Sequence, residues 1–454
     1  MLVAVIKDPK DVEKAIPYAD ALEFRLDYSL KLVELRSKVK QKKLFTLRKK
    51  EHGGVYQKSE EERLKELEHL ASLKPDFLDI ESDVPLSFLK KIRDLYPEIQ
   101  LIISHHDFEK TPDLFALLQE MEKPFYAIYK IACKANSASD LLRMLSFIRK
   151  TSKEKKIIGI SMGEYGEPSR VLGKIMGNYF SYASIEKEQG VLYQLTIEEL
   201  HKIYHFPDLN SSTQIFALLG DPIEQSVGPI FHNRIFHERK QNAVYVKCKA
   251  KQEEVGEFFK ASLFQGFSIT MPLKEAVIPF LDHIDLDAKK IGAVNTVVKK
   301  DGKYVGYNTD APGALDALEE ESFVRGRKLI IIGTGGTTRA IAYEAKKRGS
   351  EVYIAGRSKE KAEAIAKEFS CHAVLLNQLP TYDILINATP VGMKEELLPI
   401  PESEIRPETI IMDTIYSPSF TPLLQAAQKK NCICVFGFSM FENQALLQQK
   451  LWFS

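Results

Sequence analysis

Eight short β-type runs, each followed by a charged segment of helical character, fill the first half of this chain, and few folds accept that rhythm. The runs are Leu2 to Ile6, Ala21 to Leu26, Lys43 to Leu47, Phe77 to Ile80, Leu101 to Ser104, Tyr126 to Ala132, Lys156 to Ser161 and Phe180 to Ala183. Strands alternating with helices predict parallel neighbours joined by helical crossovers. Eight such units in about 200 residues predict a (β/α)8 TIM barrel. At 454 residues the chain exceeds what one core serves, so further domains are expected beyond the barrel.

A barrel gathers its chemistry at the C-terminal ends of its strands, where side chains share one mouth. Glu23 and Arg25 end the second run, Arg48 the third and Glu81 the fourth; His106 follows the fifth, Lys130 lies in the sixth and Arg170 follows the seventh. An amine inside the apolar run Tyr126-Ala127-Ile128-Tyr129-Lys130-Ile131-Ala132 is expected to lose its charge easily by desolvation and to condense with a ketone. Lys130 is therefore the candidate Schiff-base residue. His106 suits removal and return of a proton, Glu81 is placed to fix its tautomer, and the arginines suit an anionic substrate.

The runs Glu23-Phe24-Arg25-Leu26-Asp27, Leu44-Phe45-Thr46-Leu47-Arg48, Ser104-His105-His106-Asp107-Phe108 and Lys130-Ile131-Ala132 resemble the type I 3-dehydroquinate dehydratase family, as does Ile160-Ser161-Met162-Gly163 leading to Ser169-Arg170-Val171. The resemblance spans about residues 1 to 205. It implies an imine between Lys130 and the substrate ketone, proton abstraction at the adjacent carbon by His106, and loss of water to give 3-dehydroshikimate. The family's Ser-Ala-Pro-Gly-Gln lid motif stands here as Gly190-Val191-Leu192-Tyr193-Gln194, which keeps the substrate-contacting glutamine, Gln194, and loses the serine.

A turn-rich stretch at 205–213 marks a junction, and the runs Gln214 to Leu219, Ala243 to Cys248 and Gln265 to Thr270 then predict an open α/β sheet. Farther on, the apolar run Arg327 to Ile332 leads into Gly333-Thr334-Gly335-Gly336-Thr337-Thr338 and a helical segment. Strand, glycine turn and helix in that order suit a pyrophosphate on a Rossmann domain, with backbone amides at the helix start holding the charge. The next strand ends in Gly356-Arg357-Ser358, with Lys361 following, where an NAD enzyme would place an acid. These cations suit a 2′-phosphate, so NADP is the expected cofactor. Lys274 and Asp310 form a candidate acid/base dyad, the carboxylate setting the lysine's charge and position.

From Gly220-Asp221-Pro222-Ile223 through Ser226, His232-Asn233, Gly292-Ala293-Val294-Asn295-Thr296, Asn387-Ala388-Thr389-Pro390-Val391-Gly392-Met393 and Gly437 to Gln444, this half resembles the shikimate dehydrogenase family. The resemblance implies that Ser226, Thr270, Asn295, Asp310, Tyr416 and Gln444 contact substrate and that Lys274 and Asp310 move the proton. It places Gly333, Gly335, Gly336, Arg357, Ser358, Lys361, Thr389 and Gly437 at the cofactor. The family's Ser-x-Ser pair is here Ser226-Val227-Gly228, and its Asn-Arg-Thr motif is Gly356-Arg357-Ser358. Domains are expected at 1–207 (dehydratase barrel), 213–312 (substrate-binding lobe) and 313–454 (NADP-binding Rossmann domain and C-terminal helices).

The two resemblances name consecutive reactions, so a fused enzyme turning 3-dehydroquinate into shikimate is expected, with these small molecules as its partners and no metal. Two other readings stay open: a second half that acts on quinate with NAD, and a metabolite-sensing module without catalysis. Lys and Arg number 63 against 62 Asp and Glu, which offers no basic surplus for nucleic acid. The opening residues read as a strand, not a signal peptide, no apolar run reaches membrane-spanning length, and five scattered cysteines suggest reduced thiols. A cytoplasmic protein is expected, while its oligomeric state is open.

Overall fold

The computed structural model describes residues 1–187 and 194–454. It divides into two compact units, one of residues 1–218 with 226–263, the other of 219–225 with 264–454. This cut differs from the three expected segments. The piece 226–263 packs with the barrel, through the helix Val255–Ala261 on the helix Ala138–Thr151, and 264–312 packs with the nucleotide-type sheet.

In the first unit, β1 (Leu2–Ile6), β2 (Ala21–Arg25), β3 (Lys42–Thr46), β4 (Phe77–Glu81), β5 (Gln100–Asp107), β6 (Ile128–Lys134), β7 (Ile157–Met162) and β8 (Ser181–Ala183) form one sheet. Its recorded pairings are all parallel, and β8 returns to pair with β1. Between β7 and β8 the ring is closed by a backbone bond from Tyr179 N to Ile157 O (2.8 Å) without a ladder, so the expected barrel is nearly continuous. One boundary matters for chemistry. β5 runs on through His105 and His106, so His106 lies within the strand, opposite Ala132 of β6, and does not follow it as expected. After the barrel come β9 (Gln214–Gly220) and β10 (Ala243–Lys249), with the helix Gly228–Glu238 between them.

The second unit holds β11 (Gly266–Ile269), β12 (His283–Ile284), β13 (Thr296–Lys300) and β14 (Lys303–Tyr307), side by side in the order β11, β13, β14, β12. It also holds a parallel sheet of β15 (Lys328–Ile332), β16 (Glu351–Ala355), β17 (His372–Val374), β18 (Ile384–Asn387), β19 (Ile410–Asp413) and β20 (Ile433–Val435). The order β17-β16-β15-β18-β19-β20 reverses direction at β15, the topological switch of a Rossmann sheet, where ligands bind at the strand ends. Ile331, Ile354 and Ile386 are fully buried in a core on one face, and Ile330, Ile332 and Leu385 in a core on the other, which is why these strands are apolar throughout. No helix among the described residues is long and apolar enough to cross a membrane.

The helix Asp310–Glu319 lies against the C-terminal helix Gly437–Trp452, and the approach is set by Gly313, whose added Cβ would meet Gln444 Cβ and backbone N at 2.8 Å. Alanine in a helix is ordinarily favoured over glycine by about 0.5–1 kcal/mol. At this position overpacking of about 1–3 kcal/mol should reverse the sign. Gly313→Ala is expected to lower the unfolding midpoint in denaturant titration; an unchanged or raised midpoint would contradict this packing.

Candidate active sites

Inward-facing residues of a strand recur at every second position. At the lower level of the barrel these are Val3, Ala21, Leu44, Phe77, Ile102, Ile128, Ile158 and Phe180, all in one buried apolar cluster. Two residues on, the same faces carry Glu23, Thr46, Asp79, Ser104, Lys130 and Tyr182, none more than 4% exposed. Such groups are tolerable only if they satisfy one another. Lys130 Nζ donates to Asp79 Oδ2 (3.1 Å), lies 3.5 Å from Glu23 Oε1 and stands 4.0 Å from the centre of the Tyr182 ring. Arg48 donates to Asp79 Oδ2 (2.8 Å) and to Ser104 Oγ (2.7 Å), the Ser104 hydroxyl donates to Asp79 Oδ1 (2.6 Å), and Thr46 donates to Glu23 (2.8 Å). Burial would push the Asp79 carboxyl up, but Arg48 and Lys130 hold it far below the usual carboxylate range. The surroundings of Lys130 are thus polar, where the sequence of its own strand suggests an apolar pocket. The deciding neighbours come from β2 and β4.

His106 is one inward repeat nearer the mouth than Ser104, and its imidazole stacks on Phe108 at 6.2 Å. Burial first, then the charges of Arg48 and Lys130, hold it well below the ordinary histidine value, so the ring is neutral and able to accept a proton. The expected contact from Glu81 is replaced. Glu81 accepts from Arg63 (2.6 Å) and Lys49 N (3.1 Å), while Arg48 Nη1 lies 3.4 Å from His106 Nδ1 and 3.9 Å from Glu81. The physical reason is Arg63, a fully buried cation from the helix Glu60–Ser72 that needs a carboxylate and claims this one.

The arginines divide by occupation. Arg25 is held by Asp27 in two bonds (2.9 and 2.7 Å) and Arg48 by Asp79, so both already have an acid partner. The Arg170 side chain makes no hydrogen bond or ion pair with a described residue, and burial pulls its guanidinium down to about 10, Tyr182 and Glu23 offsetting only part. All three arginines, with Glu23, His106, Lys130 and Gln194, line one cavity of about 720 Å³. Ser161 Oγ, also in its wall, is buried without a hydrogen-bond partner among the described residues. A cavity with an unmatched cation and unsatisfied hydroxyl suits a small hydroxylated anion. Apart from Gln194, the lid motif lies outside the described residues. Asp79, Ser104 and Tyr182 escape the sequence reading, although two acids at i and i+2 in the apolar run of β4 mark one polar inner face.

In the second unit, Lys274 Nζ donates to Asp310 Oδ2 (2.5 Å) and to Thr337 Oγ1 (3.1 Å), the latter on the first turn of the helix that follows the glycine turn. Asn295 donates to Asp310 Oδ1 (2.8 Å) and Gln444 Oε1 (3.3 Å), and Thr309 N donates back to Asn295 Oδ1 (2.7 Å). The expected dyad is assembled, and its carboxylate is fixed by an amide that is itself fixed. Thr270 stands at the end of β11, its backbone bonded to Leu219 O (2.9 Å). Tyr416 packs on Phe441 at 5.2 Å. Ser226 belongs to the first unit, where its Oγ accepts from Gly228 N (3.2 Å). A side chain at Gly228, where the family's second serine would stand, would meet the Tyr245 ring at 2.9 Å.

The glycine turn meets the steric demands of a dinucleotide. Gly333 has φ +132 and faces Ala388 O at 3.0 Å from an added Cβ; an added Cβ on Gly335 meets nothing within 4 Å, and Thr338 Oγ1 is buried and unbonded among the described residues. Gly336 begins the helix Gly336–Lys347, whose N-cap, Gly335, offers no capping side chain to the first amides, an arrangement that suits a phosphate. Arg357 and Lys361 are exposed at the end of β16, and neither side chain has an acid partner among the described residues, while Ser358 caps the next helix through Lys361 N (3.3 Å). Thr389 is tied to Asn387 (2.7 Å), and Gly437 starts the C-terminal helix tight against Ile415 O. The residues present therefore fit a phosphorylated dinucleotide.

Family models match residues 4–211 as type I 3-dehydroquinase, 218–297 as the shikimate dehydrogenase substrate binding domain and 317–398 as shikimate / quinate 5-dehydrogenase. The chain is 34% identical to the chloroplastic bifunctional 3-dehydroquinate dehydratase/shikimate dehydrogenase of Arabidopsis thaliana, over 96% of this chain and 77% of that protein. It is 33% identical to the shikimate biosynthesis protein AroDE of Chlamydia pneumoniae, over 100% of this chain and 95% of that one. Among solved structures it resembles shikimate 5-dehydrogenase of Thermus thermophilus, determined with NADP(H) and shikimate, at 34% identity and TM-score 0.51, covering 53% of this chain and 93% of that one. With both halves matched in order along nearly their whole length, the chain belongs to the family of bifunctional 3-dehydroquinate dehydratase/shikimate dehydrogenases.

Proposed function

We propose that this chain dehydrates 3-dehydroquinate at Lys130 in the barrel and reduces the product, 3-dehydroshikimate, to shikimate at the Lys274–Asp310 dyad. The observation that carries the proposal is a pair of separate lysines, each held by a carboxylate: one buried at the mouth of a barrel, the other partly buried beside the start of a nucleotide-type helix. At Lys130 the amine condenses with the substrate ketone and expels water, and the protonated imine draws electrons from the adjacent carbon. Neutral His106 takes the proton there, water leaves, and hydrolysis of the imine frees the product and Lys130. Arg170 and Gln194 hold the anionic substrate. Glu23, Asp79 and Arg48 hold the amine in place, and Glu81 acts through Arg48.

In the dehydrogenase half, NADPH supplies the hydride. Lys274 hands a proton to the carbonyl oxygen, and Asp310 fixes the ammonium while Asn295 fixes Asp310. Thr270, Tyr416, Gln444 and Ser226 are assigned to the substrate's hydroxyls and carboxylate. Arg357, Ser358 and Lys361 receive the 2′-phosphate, which favours NADP over NAD, and Gly333, Gly335, Gly336, Thr389 and Gly437 shape the rest of the cofactor cleft. We assign the functional modules to 1–207, 213–312 and 313–454, and the cytoplasm as the compartment, in keeping with five unpaired cysteines.

Two variants of the full chain separate the activities. With NADPH, Lys130→Met should leave 3-dehydroquinate unconsumed yet still reduce 3-dehydroshikimate, whereas Lys274→Met should accumulate 3-dehydroshikimate with reduction slowed about 10²–10⁴-fold. Loss of both activities in either variant, or of neither, counts against two sites; faster turnover of quinate with NAD would favour the quinate enzyme. The charge state of the base gives a second test. In the free protein the His106 imidazole, identified by difference from a His106→Asn variant, should stay neutral down through pH 6.5 and protonate only below it in NMR titration. A midpoint at or above 6.5 would remove the account of its neutral state.

A further inference from the structure

Residues 226–263 match a dehydrogenase substrate-binding model yet pack with the barrel, and two of their ion pairs fall on one barrel loop. That loop, 163–167, leads from β7 into the helix Ser169–Met176, whose second residue is Arg170, the one cavity arginine without an acid partner among the described residues. Its own bonds are few and short-range. Gly166 N donates to Gly163 O (2.9 Å), Arg170 N donates to Glu167 O (3.1 Å), and Ser169 Oγ donates to Gly166 O (2.7 Å). Ser169 is also tied back to β7, its Oγ accepting from Ser161 N (3.1 Å) and lying 3.2 Å from Ser161 O, and a further hold comes from β10. Lys249 Nζ reaches Glu164 (2.8 Å) and Lys247 Nζ lies 3.6 Å from Glu167, with both lysine side chains less than one-fifth exposed. Below them Glu254 accepts from Ala138 N (3.2 Å), pinning the same lobe to the start of the neighbouring barrel helix.

We propose that β10 of the dehydrogenase substrate lobe positions the dehydratase's substrate-binding arginine, Lys247 and Lys249 being positioning residues that act through Glu167 and Glu164. The backbone of Arg170 hangs from Glu167, so freeing that residue lets the guanidinium wander from the pocket. The barrel chemistry at Lys130 and His106 lies on other strands and is untouched. Substrate affinity should therefore suffer while the chemical step does not. This rests on the assignment of Arg170 to the substrate in the proposed function.

The test is steady-state kinetics of the full-length Lys247→Met/Lys249→Met chain. Its KM for 3-dehydroquinate should rise about 3–10-fold, the size expected when partly buried ion pairs and an ordered loop are lost. Dehydratase kcat and both dehydrogenase constants should stay within about twofold. The charge-exchanged chain Glu164→Lys/Lys249→Glu should recover KM relative to Lys249→Glu alone, which a merely destabilising substitution would not do. If the double methionine chain does not fold, Glu164→Gln, at a half-exposed position, takes its place with the same expected rise in KM. An unchanged KM, or a fall in kcat without one in affinity, overturns the proposal. Arg170→Lys is the control: if it leaves KM unchanged the assignment of Arg170 itself fails, whereas a rise there with none in the lysine variants overturns the brace alone.

Discussion

One buried carboxylate organises the first half of the molecule. Asp79 receives Lys130, Arg48 and Ser104 within hydrogen-bonding distance at the level where the barrel interior turns from apolar to polar. Two cations brought together in a closed interior repel each other and lose hydration, and only an acid shared between them makes the arrangement stable. Their positions then dictate the rest. Burial first, then the charge of Arg48, holds His106 below the ordinary histidine value, and while Arg25 and Arg48 are matched to acids, Arg170 has no acid partner among the described residues. In the function proposed above, substrate charge completes that ion balance.

The dehydrogenase half solves a related problem with different surroundings. Lys274 too is held by a carboxylate, but Asp310 begins a helix and is tied through Asn295 to Gln444 on the C-terminal helix. The same lysine touches Thr337, so the acid/base pair and the nucleotide turn share a contact. Gly313 permits this by letting two helix backbones approach closely enough for Gln444 to reach Asn295. In each half, a lysine is fixed by an acid that other groups fix in turn.

Much of this is legible in the residues. Short apolar runs at regular spacing specify the barrel strands, and the rim positions of Lys130, His106 and Arg170 follow from counting along them. Lys274, Asp310 and the glycine turn are likewise identifiable from type and context. What a linear reading cannot supply is partnership across strands. Lys130 reads as desolvated because its own strand is apolar, while Asp79 and Glu23 arrive from 51 and 107 residues away. Glu81 reads as the partner of His106 because they sit on adjacent strands, but Arg63, from a helix with no motif of its own, claims it. The packing of 226–263 with the barrel is invisible for the same reason: long-range contacts leave no local period.

The account stands on Lys130 being the nucleophile. Incubating the full chain with 3-dehydroquinate and sodium borohydride, then digesting it and mapping masses, tests this directly. A reduced, substrate-derived adduct confined to the peptide that carries Lys130, absent without substrate and absent in Lys130→Met, is the predicted result. Dehydration proceeding at full rate with no trapped adduct, or an adduct on another lysine, would contradict it.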